Sequence, residues 1–169
     1  MTKKILLISD THGFLPQQVY KYATDCDEIW HAGDIGNREV LSKLQNLKPT
    51  HCVFGNIDGI DIKIDSPENL IFSCEGVKIL MTHIGGSPEK MSLRANKLIL
   101  EHKPNVFICG HSHIVRVKSM PQYGNCLYIN PGAAGNEGFH QIKTFMLLQF
   151  EDGKIIDIKV VELGSRGSK

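Results

Sequence analysis

No apolar run in these 169 residues approaches the roughly 20 residues needed to cross a bilayer as a helix, so membrane association is not expected. Blocks of like charge are missing too, and the formal net charge is only +1. Nothing therefore advertises duplex DNA or an anionic membrane as a partner, and stable nucleic-acid binding is not expected. There is no Cys-x-x-Cys, and the cysteines are five, an odd number. Cys52, Cys74, Cys109 and Cys126 fall in apolar, strand-like stretches, which reads as buried thiols rather than disulfides or thiolate ligands. Repeats, low-complexity tracts and linkers are absent. The length suits one domain over residues 1–164, followed by a polar tail, 165–169, expected to fray. Lys3-Lys4 before an apolar segment imitates a signal peptide, but the segment is short and runs into Ser9-Asp10, so a cytoplasmic location is expected.

What is present begins with Ile5-Leu6-Leu7-Ile8, a buried strand by its composition, which exits into Asp10-Thr11-His12-Gly13. A helix is expected between Pro16 and Cys26, a strand at Glu28–Ala32, and a helix capped by Asn37 with Val40, Leu41, Leu44 and Leu47 as its apolar stripe. His51–Phe54 is a third strand. This β-α-β-α-β order favours parallel strands. Leu70–Cys74 and Val77–Thr82 form a hairpin about Glu75-Gly76. Ser87 is a candidate cap for a helix with Pro88 at its first position and Met91, Ala95, Leu98 and Ile99 on its buried face. Lys90, Arg94 and Lys97 are expected on that helix's solvated face. Val106–Cys109 is a further buried strand. Strands then follow at Val115–Met120, Cys126–Asn130, Lys143–Phe150 and Lys154–Leu163, the last two joined at Glu151-Asp152-Gly153. The expected architecture is α/β: two packed sheets flanked by helices.

Five strand ends carry good metal donors beside a glycine or small residue: Asp10/His12, Asp34, Asn56, His83 and His111/His113. Loops at the carboxyl ends of parallel strands converge on one crevice. Side chains two apart in an extended chain face one way, which would aim Asp10 with His12 and His111 with His113. Four imidazoles, two carboxylates and an amide exceed the needs of one ion and match two ions sharing a carboxylate. Without thiolate, the set suits Mn²⁺, Fe, Zn²⁺, Ni²⁺ or Co²⁺ better than Mg²⁺ alone. A pair of ions roughly 3.5–4 Å apart suits in-line attack on phosphorus.

Asp10-Thr11-His12, Gly33-Asp34, Gly55-Asn56-Ile57-Asp58, Thr82-His83 and Gly110-His111-Ser112-His113, in this order, resemble the signature of the calcineurin-like metallophosphoesterase superfamily. The short length and Asn130-Pro131-Gly132 resemble its small YfcE-like phosphodiesterase branch. The resemblance implies an αββα four-layer sandwich with a dinuclear metal centre at the sheet edge. By it, Asp10, His12 and His113 hold one ion, Asn56, His83 and His111 the other, and Asp34 bridges them, while Asn56 also orients the phosphate. Two divalent ions per chain are implied, with Mn²⁺ expected and Ni²⁺, Zn²⁺, Fe or Co²⁺ as alternatives. The implied reaction is hydrolysis of a small phosphodiester by metal-held hydroxide. A phosphomonoesterase on the same centre is one alternative, and a scaffold like the retromer subunit of this fold is another. Members of the family form dimers or larger assemblies, so homo-oligomerisation is allowed by the resemblance.

Many family members place His directly after the motif Asn, as general acid to the leaving alkoxide. Ile57 stands there and has no proton to give. Asp58 and His140 are candidate substitutes, and His31 reads as a residue packed behind the site rather than a ligand.

Overall fold

The computed structural model describes residues 1–168. Its elements in chain order are β1 (Lys3–Ile8), α1 (Gln18–Ala23), β2 (Glu28–His31), α2 (Arg38–Leu47), β3 (Thr50–Cys52), α3 (Ile60–Lys63), β4 (Asn69–Cys74) and β5 (Val77–Thr82). Then come β6 (Gly86–Ser87), β7 (Lys90–Met91), α4 (Leu93–His102), β8 (Val106–Ile108), β9 (Arg116–Met120), β10 (Cys126–Asn130), β11 (Ile142–Glu151) and β12 (Lys154–Ser165).

Two five-stranded mixed sheets result. One runs β12-β11-β1-β2-β3 with β1, β2 and β3 parallel; the other runs β4-β5-β8-β10-β9 with β5, β8 and β10 parallel. Side-chain alternation along β1 explains the layering. Ile5 and Leu7 enter the core between the sheets, where Trp30, Ile79, Met81, Ile108, Ile129 and Met146 meet them. Leu6 and Ile8 face the other way, against Val19 and Ala23 of α1 and Val40, Leu41 and Leu44 of α2. On the far sheet, Leu80, Phe107 and Tyr128 pack against Ala95 and Ile99 of α4. This is the αββα sandwich expected from the sequence. No helix among the described residues is long and apolar enough to cross a membrane.

Local signals held where short-range chemistry decided them. Asn37 caps α2, its Oδ1 accepting from Val40 N at 3.0 Å. Glu75-Gly76 and Asp152-Gly153 both have positive φ at both positions, the conformation of a two-residue turn whose twist suits a hairpin. All five cysteines are buried and free.

Two expectations need correction. Ser87 does not cap a helix: it pairs with Lys90 in the small β6–β7 hairpin, and α4 starts after Ser92, whose Oγ accepts from Ala95 N at 3.2 Å. Lys90 therefore lies off the helix. Arg94 is not merely solvated, since its guanidinium donates to Thr82 Oγ1 at 2.9 Å and to Asn69 Oδ1. The C-terminal segment, expected to be a polar tail, makes contacts with the rest of the chain. Ser165 ends β12, Arg166 N donates to Gln141 O at 2.9 Å, and Gly167 N donates to Asn136 Oδ1 at 2.7 Å. The expectation for Lys169 lies outside the described residues.

Candidate metal centre

The loops leaving β1, β2, β3, β5 and β8 meet at one edge of the sandwich. Backbone bonds lace them together: Asp10 N to Gly33 O and His12 N to Asp34 O, both 3.0 Å, and Gly110 N to His83 O, also 3.0 Å. Asp10, His12 and His113 come together as one group, and Asp34, His83 and His111 as another, each with candidate ligand atoms within 4.8 Å of one another. Asn56 lies at the exposed edge of the second group, its Oδ1 3.0 Å from His111 Nδ1.

The route to this convergence differs from strand alternation. β1 stops at Ile8, and Asp10 and His12 have φ of 54° and 47°. Asp34, His111 and His113 are also left-handed, at 55°, 66° and 61°. Such backbone is uncommon for residues with a Cβ and costs on the order of 1–3 kcal/mol at each position, so the surrounding loops must hold it. Neither charge nor spacing reveals this in the sequence. Glycines make the close approach feasible: a Cβ on Gly55 would lie 2.0 Å from Asp34 Oδ1, and one on Gly33 would lie 2.6 Å from His83 Nδ1.

Each carboxylate has one oxygen held by the protein and one facing the site. Asp10 Oδ2 accepts from Ser9 Oγ (2.6 Å) and His111 N (3.1 Å), leaving Oδ1 3.1 Å from His113 Nε2 and 3.7 Å from His12 Nε2. Asp34 Oδ1 accepts from Ile57 N (3.1 Å), leaving Oδ2 3.4 Å from His12 Nε2 and 3.2 Å from His83 Nε2. That single oxygen thus touches one imidazole of each group. His83 Nδ1 lies 2.8 Å from the Ala32 carbonyl, which fixes the proton there and leaves the Nε2 lone pair facing the site.

Electrostatics follow from this packing. Burial opposes ionisation of Asp10, but His113 and His12 hold its carboxyl well below the usual range. Asp34 is likewise lowered by His83 against the cost of burial. The Asp10 carboxylate raises His12 above an ordinary imidazole. Burial works against a charged His83, yet Asp34 and Asp10 still raise it. The His12 and His83 Nε2 atoms, like His140 Nδ1, are buried and have no hydrogen-bond partner among the described residues. Buried polar atoms are rarely left so, and two lone pairs aimed at two carboxylates fit a cation. The donor set, with imidazole and carboxylate and no thiolate, fits a divalent transition metal.

For several residues around the site, tertiary contacts set a role that the sequence left open. His31 is fully buried behind the site: its Nδ1 accepts from Gly33 N (3.1 Å), and its Nε2 donates to Thr11 Oγ1 (2.9 Å), which donates to Ile35 O. Burial lowers its pKa to about 3, so it is a neutral brace between the first two loops. Asp58 is not placed to release a proton. Its carboxylate accepts from Ile35 N, Gly36 N and Gly55 N at 3.1, 2.8 and 2.8 Å, clamping the Asp34 loop to the Asn56 loop. Asn130 is buried and donates to Gly110 O (2.9 Å) and Ser112 Oγ (3.0 Å), holding the loop that carries His111 and His113. His140 packs edge-on against His113, with ring centroids 5.0 Å apart, and its Nε2 donates to Gly135 O at 2.8 Å. Ile57 is 45% exposed, and its backbone N–H serves Asp34.

Comparison with known proteins gives a consistent result. The chain is 27% identical to a probable metallophosphoesterase of Methanothermobacter thermautotrophicus, over 94% of this chain and 92% of that one. It is 30% identical to a probable metallophosphoesterase of Methanocaldococcus jannaschii, over 94% and 83%. Among solved structures it resembles a variant of Vps29 from Entamoeba histolytica, with a TM-score of 0.73 at 20% identity, covering 94% of this chain and 98% of that one. The last likeness concerns the fold alone. The profile of the calcineurin-like phosphoesterase superfamily domain matches residues 4–153, and the chain belongs to that superfamily.

Proposed function

We propose that this protein is a phosphodiesterase acting on small phosphodiesters, with one divalent ion held by Asp10, His12 and His113 and a second by Asn56, His83 and His111. Asp34 is the shared ligand. The observation that carries this reading is the position of Asp34 Oδ2, within 3.4 Å of His12 Nε2 and 3.2 Å of His83 Nε2, both ring atoms otherwise unpartnered. When bound, the two ions would supply a strong nucleophile at neutral pH and neutralise charge on the phosphate. Mn²⁺ is the favoured metal, with Ni²⁺, Zn²⁺, Fe or Co²⁺ able to use the same donors.

The chain's own residues do the positioning. Ser9, the His111 amide and the Ile57 amide fix the carboxylates. The amide group of Asn56, at the exposed edge, would orient a phosphate oxygen. A cavity of about 150 Å³ beside Asn56 and His83 is lined by Lys63 and Arg94 together with Glu68, a polar, charged wall next to the donor groups. Ile57 offers no proton to a departing alkoxide, so the reading favours diesters whose leaving group is acidic enough to depart unassisted.

The test is hydrolysis of bis-p-nitrophenyl phosphate against p-nitrophenyl phosphate at equal metal loading. The diester is expected to be turned over faster, and the reverse order would make the protein a phosphomonoesterase. The scaffold reading, which the Vps29-like fold keeps in view, is disfavoured because all seven donor positions are filled by competent ligands. It would replace ours if the protein bound no metal and Asp34→Asn left its cellular role unchanged.

A further inference from the structure

A cavity of about 300 Å³ opens directly beside His111, lined by Ile84, Pro88, Ile114, Arg116 and Tyr128 as well as the Gly110–Ser112 backbone segment. For scale, a cavity of about 150 Å³ is enough to hold benzene. Its outer wall comes from the Gly86–Ser87 strand of the β6–β7 hairpin, the segment whose sequence reads as a helix start. The ring of Tyr128 is fixed by stacking with Phe107 at 5.9 Å, and its hydroxyl is used up by donating to Gly86 O at 2.7 Å. Tyr128 is only 2% exposed, so it is a rigid, buried part of the lining, and the accessible apolar surface is that of Ile84 and Ile114. Ile84 and Ile114 line the same space while remaining 37% and 63% exposed.

The single charged group there is already engaged. Arg116 forks onto both carboxylate oxygens of Glu89, one at 3.0 Å, and Lys118 Nζ reaches Glu89 Oε1 at 2.8 Å. Glu89 thus neutralises the one guanidinium that borders the cavity. The cavity on the Asn56 side differs in chemistry: Lys63, Glu68 and Arg94 line it, whereas Ile84, Pro88 and Ile114 give this one an apolar wall.

We propose that this cavity receives one ester arm of the substrate and selects for an aromatic ring there. The proposal rests on the phosphodiesterase reading and narrows its substrate class to phosphodiesters with an aryl-type arm. The phosphate would lie at His111, with the ring between Ile84 and Ile114.

The test is calorimetric titration of the Mn²⁺-loaded protein with phenylphosphonate and with methylphosphonate. Neither P–C bond is hydrolysed, so binding is read without turnover. Phenylphosphonate is expected to bind about tenfold more tightly. The ratio should fall toward one in the Ile84→Ser/Ile114→Ser variant, with its metal content checked by elemental analysis. Ile114→Ser alone, at a mostly exposed position, should lower the ratio partway if the double variant folds poorly. Equal affinities in the parent protein, or an unchanged ratio in the variants, would overturn the pocket and leave the phosphoester reading standing. Failure of both phosphonates to bind a protein carrying two ions would overturn both.

Discussion

His12 Nε2 lies 3.4 Å from Asp34 Oδ2, although the two residues leave different strands of the same sheet. Because the same oxygen is 3.2 Å from His83 Nε2, Asp34 is the joint between the two halves of the site. Substitutions should therefore divide by half. His12→Ala is expected to lower metal content from about two ions per chain to about one, whereas Asp34→Asn should weaken both. Elemental analysis of the folded variants checks this, and equal loss of both ions in His12→Ala would show that the ligand division is wrong.

Proton and metal compete for the same lone pairs. Asp10 raises His12, and Asp34 and Asp10 raise His83 against the effect of burial. Both rings thus take up protons at a higher pH than an ordinary imidazole, near 6.5. Metal affinity should already be falling as pH drops toward that value and should continue to fall below it. Titration of the metal-free protein with Mn²⁺ at pH 6, 7 and 8 reads the effect, with proton release expected on binding.

His31 gives the metal-free fold a separate pH dependence. Its folded pKa is about 3, so between that value and 6.5 only the unfolded chain binds the proton, and stability falls as pH falls. His12 and His83 work in the other direction: their raised values add stability that is complete below pH 6.5. The depressed carboxylates add stability that is complete above the ordinary Asp range and is lost only as pH falls through and below it, so they add no slope from pH 6.5 to 5. From pH 6.5 to 5 His31 should therefore dominate, costing on the order of 2 kcal/mol. Denaturant midpoints should show this loss, and His31→Gln should remove most of it.

Asp58 separates a positioning role from a proton-donating one. With three backbone donors on its carboxylate, Asp58→Ala leaves buried N–H groups unpaired and should cost on the order of 3 kcal/mol. It should also loosen the ion held by Asn56, His83 and His111. A stable variant with full metal content but an altered acidic limb of the pH–rate profile would instead make Asp58 the proton donor.

Ile57→His should be well tolerated, since the side chain is half-exposed and its backbone N–H to Asp34 is retained. General acid assistance is often worth about 10²–10⁴-fold. The variant should gain on diesters with poorly acidic leaving groups and change little on p-nitrophenyl esters. No gain with two ions bound would mean that proton transfer to the leaving group does not limit the rate.

The failures of sequence reading have a common cause. Cap and hairpin chemistry is local, so Asn37, Glu75-Gly76 and Asp152-Gly153 could be placed from neighbours alone. Ser87-Pro88 has the local chemistry of a helix start, but in the folded chain Gly86 pairs with Met91, and the Tyr128 hydroxyl takes the Gly86 carbonyl. Arg94 looks like any helix-surface arginine until β4 and β5 bring Asn69 and Thr82 to it. Asp58 could be suspected of chemistry because it follows Asn56, and only the contact with the Asp34 loop shows what holds its carboxylate.

By itself the sequence determined the layered α/β architecture, because period-two burial in the strands and apolar stripes in the helices leave few ways to bury both faces of two sheets. It also determined the donor types and the strand ends that carry them. The tertiary structure decided how those donors converge. Left-handed backbone at Asp10, His12, Asp34, His111 and His113 is unfavourable locally and persists because adjoining loops, braced by His31, Asp58 and Asn130, hydrogen-bond it in place. Such long-range compensation leaves no periodic trace in a chain read residue by residue.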